Sequence, residues 1–186
     1  MLFDTGDDTN KLHYNMEKLG IDLQDIEAIV LSHAHGDHTG GIEIVRHLSD
    51  VQVFVPSSFF SPMRSKLSRF RNVEVVEVND NIEIVKGITS TGEIGRIEQA
   101  LMVQSQNGLV IVTGCSHPGL ERILSMAGEF GPIYGVVGGF HGFDRLEVLE
   151  DKEMIVPCHC TRLKKRILQE YPRTSSPCAA GRVFTI

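Results

Sequence analysis

Four short apolar runs in this chain each lead into a histidine or cysteine set among small residues. Residues 26–31 run into Ser32-His33-Ala34-His35-Gly36-Asp37-His38, and residues 109–112 into Thr113-Gly114-Cys115-Ser116-His117. Residues 133–137 run into Gly138-Gly139-Phe140-His141, and residues 154–156 into Pro157-Cys158-His159-Cys160-Thr161. Short runs rich in Val and Ile and bounded by Gly or Pro read as buried strands. One histidine after a strand is ordinary; four strand ends that all carry His or Cys are not something packing requires. In layered α/β folds strand ends gather at one edge of a sheet, where loops build the site. The expected fold class is therefore α/β, with chemistry concentrated on one edge.

The densest stretch is Leu31-Ser32-His33-Ala34-His35-Gly36-Asp37-His38-Thr39-Gly40-Gly41, with three imidazoles and a carboxylate within six residues. His33 and His35 stand two apart, so on an extended stretch both project to one side. Asp37 and His38 are adjacent and face a second point in space. Two nitrogens for one ion and a carboxylate with an imidazole for its neighbour are what a paired-metal site needs. The plain alternative, a polar loop that happens to be rich in histidine, is hard to reconcile with only 8 histidines in the whole chain.

The 186 residues, 41% hydrophobic, suffice for one domain with a real core, and residues 1–186 read as one unit without repeats or linkers. A net charge of −6 argues against a nucleic-acid partner. Arg64, Lys66, Arg69 and Arg71 read as a solvated face. No apolar run reaches the length of a membrane span, and no secretory leader is evident, so a cytoplasmic protein without a membrane partner is expected. The 4 cysteines are too few for a disulfide framework and fit a reducing compartment.

The remaining elements follow from local signals. Residues 1–3 read as a strand ending at Asp4-Thr5-Gly6. Asp8, Thr9 or Asn10 caps a helix carrying Leu12, Met16 and Leu19 and stopped by Gly20. His13 within it, and His47 at the end of a helix over 41–47, read as structural or surface residues. Residues 51–55, 73–78 and 82–88 read as strands. Residues 57–72 read as a loop with a short helix, forming one wall of a pocket. Asn107-Gly108 marks a hairpin between residues 100–103 and 109–112. Helices are expected over 120–126 and 162–171, and a last strand over 183–186.

With Phe3-Asp4-Thr5-Gly6, His33-Ala34-His35-Gly36-Asp37-His38 and the later strand-end motifs in that order, the chain resembles the metallo-β-lactamase superfamily of metal-dependent hydrolases. Thr91-Gly92-Glu93-Ile94 and the motifs around Cys115, His141 and His159 resemble its branch named for a dihydropterin-ribofuranosylaminobenzene-phosphate synthase. The resemblance implies a four-layer αββα sandwich with metals at one edge of two sheets. It implies His33 and His35 as ligands of one metal, Asp37, His38 and His159 as ligands of another, and Asp4 as a brace behind them. Asp37 would also orient the attacking water.

Three departures from the superfamily pattern stand out. Where a third histidine for the first metal is usual, this chain has Glu93; Glu93 or His117 could fill that place. Where a bridging aspartate is usual, it has Cys115, whose thiolate would favour a softer or redox-active metal. The superfamily also has one or two strands ahead of the Asp4 motif, where this sequence begins. The expectations are a misplaced start or a first sheet lacking N-terminal strands, and an unpaired edge that makes a homo-oligomer plausible.

The leading expectation is metal-assisted hydrolysis of a small molecule bearing a phosphoester or carbonyl group, with a phosphorylated substrate as one option. Two divalent metal ions per chain, zinc first with iron or manganese as alternatives, would be held by His33, His35, Asp37, His38, Cys115, His117 and His159. Asp37 and His141 are the expected catalytic residues, His141 as a ligand or as the acid for the leaving group. A pterin-linked transferase, a redox or sensor protein using Cys115, Cys158 and Cys160, and a binding scaffold without turnover are the alternatives. For Cys158 and Cys160 simple packing is the favoured reading, and Cys178 is expected to pack as well. Lys164, Lys165 and Arg166, like the Arg64–Arg71 cluster, would meet a phosphate only if they face the site.

Overall fold

Strand β1 (Leu2–Phe3) pairs in parallel with β2 (Ala28–Val30), β2 with β3 (Val51–Pro56), and β3 with β4 (Val73–Val78). These four strands form the first sheet of the computed structural model, which describes residues 1–186, and β1 and β4 are its outer strands. The second sheet has six strands in the order β10-β9-β8-β7-β6-β5. Its members are β5 (Ile82–Val85), β6 (Ile88–Ser90), β7 (Leu101–Ser105), β8 (Gly108–Thr113), β9 (Ile133–Gly139) and β10 (Met154–Cys158). Strands β5 to β8 pair antiparallel, whereas β8, β9 and β10 run parallel.

Side-chain alternation sorts the apolar residues into three separate cores, one for each interface between four layers. Ala28, Val30 and Phe54 of the first sheet meet Leu101 of the second, closing the two sheets on each other. The opposite face of the first sheet, with Ile29, Val51, Val53 and Val55, is covered by α1 (Thr9–Lys18) and α3 (Ser57–Leu67). The far face of the second sheet, with Met102, Ile111, Val136 and Ile155, is covered by α4 (Leu120–Ala127) and α5 (Lys164–Glu170). The layers are thus α, β, β, α.

Local signals match the helix caps. The Asp8 side chain accepts from the Lys11 N–H at 2.9 Å and opens α1. A four-residue helix α2 (Gly36–Thr39) carries Asp37 and His38 and continues into a 3-10 helix over Gly40–His47. His13 and His47 stack at 5.1 Å between ring centroids, away from the other histidines.

Several boundaries differ from the sequence reading. Residues 183–186 form no strand, despite their β-prone side chains. Residues 82–88 split into β5 and β6, which fold back on each other through Gly87 at φ 81. Residues 57–67 are helical, with a kink at Phe59, rather than mostly loop. Phe59, Met63 and Leu67 recur every four residues and are buried, a helical face that the surrounding Ser, Arg and Lys residues mask in the sequence.

Parallel pairing decides where the loops meet. The C-terminal ends of β1 and β2 point the same way, as do those of β8, β9 and β10, so their outgoing loops share one edge of the sandwich.

Candidate metal centre

Asp4 follows β1 and links it to the loop after β2. Its Oδ1 accepts from the Ser32 N–H (2.6 Å) and its Oδ2 accepts from the Ser32 hydroxyl (2.7 Å). The same Oδ2 lies 2.6 Å from His38 Nδ1. Thr5 adds its N–H and hydroxyl to the His38 carbonyl, at 2.8 and 3.0 Å. Ser32 Oγ lies 2.9 Å from His33 Nδ1. Both buried imidazoles are thereby held through Nδ1, leaving Nε2 of each free to face the interior of the edge.

Those free nitrogens fall into two groups. His33 Nε2 lies 3.1 Å from His35 Nδ1 and 3.2 Å from His117 Nε2. Three nitrogens converge with no oxygen acceptor among them. Their spacing suits a tetrahedral zinc site, in which bonds of about 2.0–2.1 Å put neighbouring nitrogens about 3.3 Å apart. In the second group His159 Nε2 lies 3.0 Å from Asp37 Oδ2, and His38 Nε2 lies 3.7 Å from that oxygen. Cys115 stands between the groups, its Sγ 3.2 Å from His38 Nε2. Its sulfur is within 4.8 Å of ligand atoms of both His33 with His117 and His38 with His159. The donor set, imidazoles with one thiol and one carboxylate, fits borderline divalent metals.

The electrostatics follow from burial and neighbours. Burial, then the adjacent His38, His117 and His35, push the His33 pKa down to about 3. His117 is also lowered, chiefly by burial. Burial opposes charge on His38, but the Asp4 hydrogen bond and carboxylate, with Asp37 and Glu98, raise its pKa. Burial, Cys160, Glu98 and Asp37 push the Cys115 thiol well above its ordinary range. His33 is thus neutral and Cys115 keeps its thiol proton near neutral pH, so a cation would have to displace that proton to bind sulfur.

Two of the sequence candidates lie apart from these groups. His141 belongs to neither, though its ring sits 4.8 Å from that of His117, on the rim. Glu93 also lies outside both groups, because its Oε1 accepts from the Ser58 N–H at 3.0 Å; His117 stands beside His33 and His35 instead. Cys158 is buried, with its thiol toward the Val156 carbonyl, and Cys160 packs partly buried. Cys178 is exposed rather than packed, since the chain beyond the bridge between Ser175 and Ile155 lies on the surface without strand partners. Arg69 pairs with Glu43 and Arg166 with Glu170, so neither is a free cation facing the centre.

Sequence reasoning missed Glu98 and Arg96. Glu98, in the loop between β6 and β7, is wholly buried and accepts three backbone N–H bonds from Cys115, Ser116 and His117. Arg96 lines a cavity of about 250 Å³ with His33, His35 and Phe59. One signal was available: Glu98-Gln99 is a polar pair immediately before the apolar run of β7. Strain also marks the site. Four of the five non-glycine residues with positive φ, Asp4, Ser116, His141 and His159, lie on its loops.

A profile of the metallo-beta-lactamase superfamily matches residues 1–113. The chain belongs to that superfamily. Its members are mostly enzymes and commonly bind divalent metals. The 7,8-dihydropterin-6-methyl-4-(beta-D-ribofuranosyl)-aminobenzene-5'-phosphate synthase of Methanocaldococcus jannaschii is 25% identical, over 99% of this chain and 83% of its own length. Among superfamily structures, the metal-dependent hydrolase Tm1679 superposes with a TM-score of 0.77 at 26% identity, covering all of this chain and 88% of that one. Zn(2+)-bound PqqB from Methylobacterium extorquens shares the fold, with a TM-score of 0.69 at 12% identity, over 100% of this chain and 83% of that one. No helix is long and apolar enough to cross a membrane.

Proposed function

We propose that the chain is a metal-dependent hydrolase acting on a small anionic ester, with a phosphoester as the first candidate. One observation carries this reading: two donor groups at one edge of the sandwich share a single central thiol, Cys115. His33, His35 and His117 would hold one divalent cation, Asp37, His38 and His159 the other, and Cys115 would serve either or both. Zinc suits this set best, since it accepts imidazole, thiolate and carboxylate alike. When bound, such cations lower the pKa of water, to about 7 for zinc, and polarise a phosphoryl or carbonyl oxygen.

The chain's own groups supply the rest. Asp37 is half-exposed at the mouth of the centre, with Oδ2 beside His159, where it can accept a hydrogen bond from water and orient it. His141, on the rim next to His117, is placed to hand a proton to a leaving group. Arg96 makes no ion pair and borders the cavity shared with His33 and His35, so it can receive an anionic substituent of the substrate.

Elemental analysis of protein grown in metal-replete medium tests the centre. About two zinc, iron or manganese atoms per chain are expected, with loss of metal and turnover in His33→Ala. Full metal content and rate in that variant would reject the reading. Phosphodiesters, thioesters and pterin phosphates are the substrates to screen. A second reading, group transfer in place of hydrolysis, draws on the synthase from Methanocaldococcus jannaschii, similar over almost the whole chain. Product formation only in the presence of an acceptor other than water would favour it.

A further inference from the structure

We infer that Glu98 is a positioning residue that presents Cys115 and His117 to the metal centre, and that its neighbour Gln99 ties the same support to the His33 loop. The inference rests on the metal-centre reading above. Glu98 has no Lys or Arg partner; its charge is met by three consecutive backbone donors. Oε1 accepts from Cys115 N–H at 2.8 Å and Ser116 N–H at 3.0 Å, and Oε2 accepts from His117 N–H at 2.8 Å. Consecutive N–H groups converge in this way when successive residues alternate in backbone hand, forming a nest for an anion. Ser116, at φ 60, supplies the left-handed residue. Here the anion in the nest is a side chain of the protein, and the two residues flanking Ser116 are the candidate donors.

Gln99 faces the first sheet. Its N–H donates to the Ser32 carbonyl at 2.9 Å, and its side-chain amide donates to the Leu31 and Phe54 carbonyls at 2.9 and 3.2 Å. Its Oε1 accepts from the Ser90 hydroxyl at 2.6 Å. Both side chains are wholly buried, and neither belongs to a donor group. Two donor loops from two sheets are therefore held apart at a set distance by adjacent residues. Gly114 permits the closure: a β-carbon there would lie 2.2 Å from Ser32 Oγ and 3.2 Å from Glu98 Oε1. Glu98 would also leave a negative charge beneath the cations, strengthening their retention.

The test is cobalt titration of the metal-free full chain, read by affinity and by the visible spectrum, which reports donor geometry. Glu98→Gln keeps the shape but removes the charge and puts an amide donor opposite backbone donors. It should fold by circular dichroism and bind cobalt about 10- to 100-fold more weakly, with an altered spectrum. Glu98→Asp keeps the charge but falls one methylene short, and should not restore either property. Unchanged affinity and spectrum in Glu98→Gln would overturn the inference, and full rescue by Glu98→Asp would overturn the positioning role. Should the variants fail to fold, amide exchange in the unaltered, metal-free protein decides. Slow exchange at Cys115, Ser116 and His117 supports the nest, and exchange as fast as an exposed loop overturns it. Failure of the unaltered protein to bind cobalt would instead overturn the metal centre itself, a result distinct from any change confined to the Glu98 variants.

Discussion

Asp4 Oδ2 sits 2.6 Å from Nδ1 of His38, a residue 34 positions away, and this contact aims the opposite ring nitrogen at Cys115. The carboxylate also holds the Ser32 N–H and hydroxyl, so one side chain orients the start and end of the His33–His38 segment. Asp4→Ala should weaken metal binding about 10- to 100-fold, the usual cost of removing a group that orients a ligand. It should also destabilise the metal-free protein by about 1–3 kcal/mol, because the Ser32 N–H loses its acceptor. Metal titration and urea unfolding check the two effects separately.

His33 and His38 of the metal-free protein should titrate on opposite sides of the ordinary imidazole value. His33, held down to about 3, should show no imidazole proton shift between pH 8 and pH 5, whereas His38 should titrate above its ordinary 6.5. At position 33 the unfolded chain binds a proton near 6.5 and the native chain does not until about 3, so stability from this group rises with pH across that window. At position 38 the sign is reversed. Its contribution is full below 6.5 and is lost as pH rises through the raised native value. NMR titration of the imidazole protons distinguishes them, and a His33 signal moving near pH 6.5 would contradict the burial argument.

Gly114 should not tolerate a side chain. An added β-carbon would meet Ser32 Oγ at 2.2 Å and Cβ at 2.6 Å, displacing the residue that donates to Asp4 and touches His33. Gly114→Ala should cost about 1–3 kcal/mol in unfolding free energy, as overpacking usually does, and should weaken metal binding too. Gly142→Ala is the matched control, since nothing lies within 4 Å of its added carbon. Equal unfolding midpoints for the two variants would mean that the loop relaxes freely.

Cys115 should set the metal preference. Replacing its sulfur by a carboxylate in Cys115→Asp makes the shared donor harder. Competitive loading with zinc and manganese, read by elemental analysis, should show the variant shifted toward manganese. An unchanged ratio would place Cys115 outside the coordinating atoms.

What could be read without the fold was local. The three imidazoles and the carboxylate of His33 to His38 lie within six residues, and the strand ends are marked by short apolar runs meeting glycine. The continuous apolar run of β2 was enough to imply a strand buried on both faces, because successive side chains along a strand point to opposite sides. Helix α3 was harder to see, since its buried face is one residue in four among polar neighbours. Residues 183–186 misled for a different reason. A β-prone segment becomes a strand only when another strand offers its hydrogen bonds, and none does so there.

The amino-acid sequence alone determined the donor types, the superfamily resemblance and the layered α/β class, all of which depend on neighbours along the chain. Only the tertiary structure decided which donors share a point in space. His117 rather than Glu93 joins His33 across 84 residues, Cys115 falls between both groups, and Glu98 lies beneath them as their buried support. Those pairings depend on parallel strand order and register, which bring distant loops to one edge through contacts that no local spacing encodes.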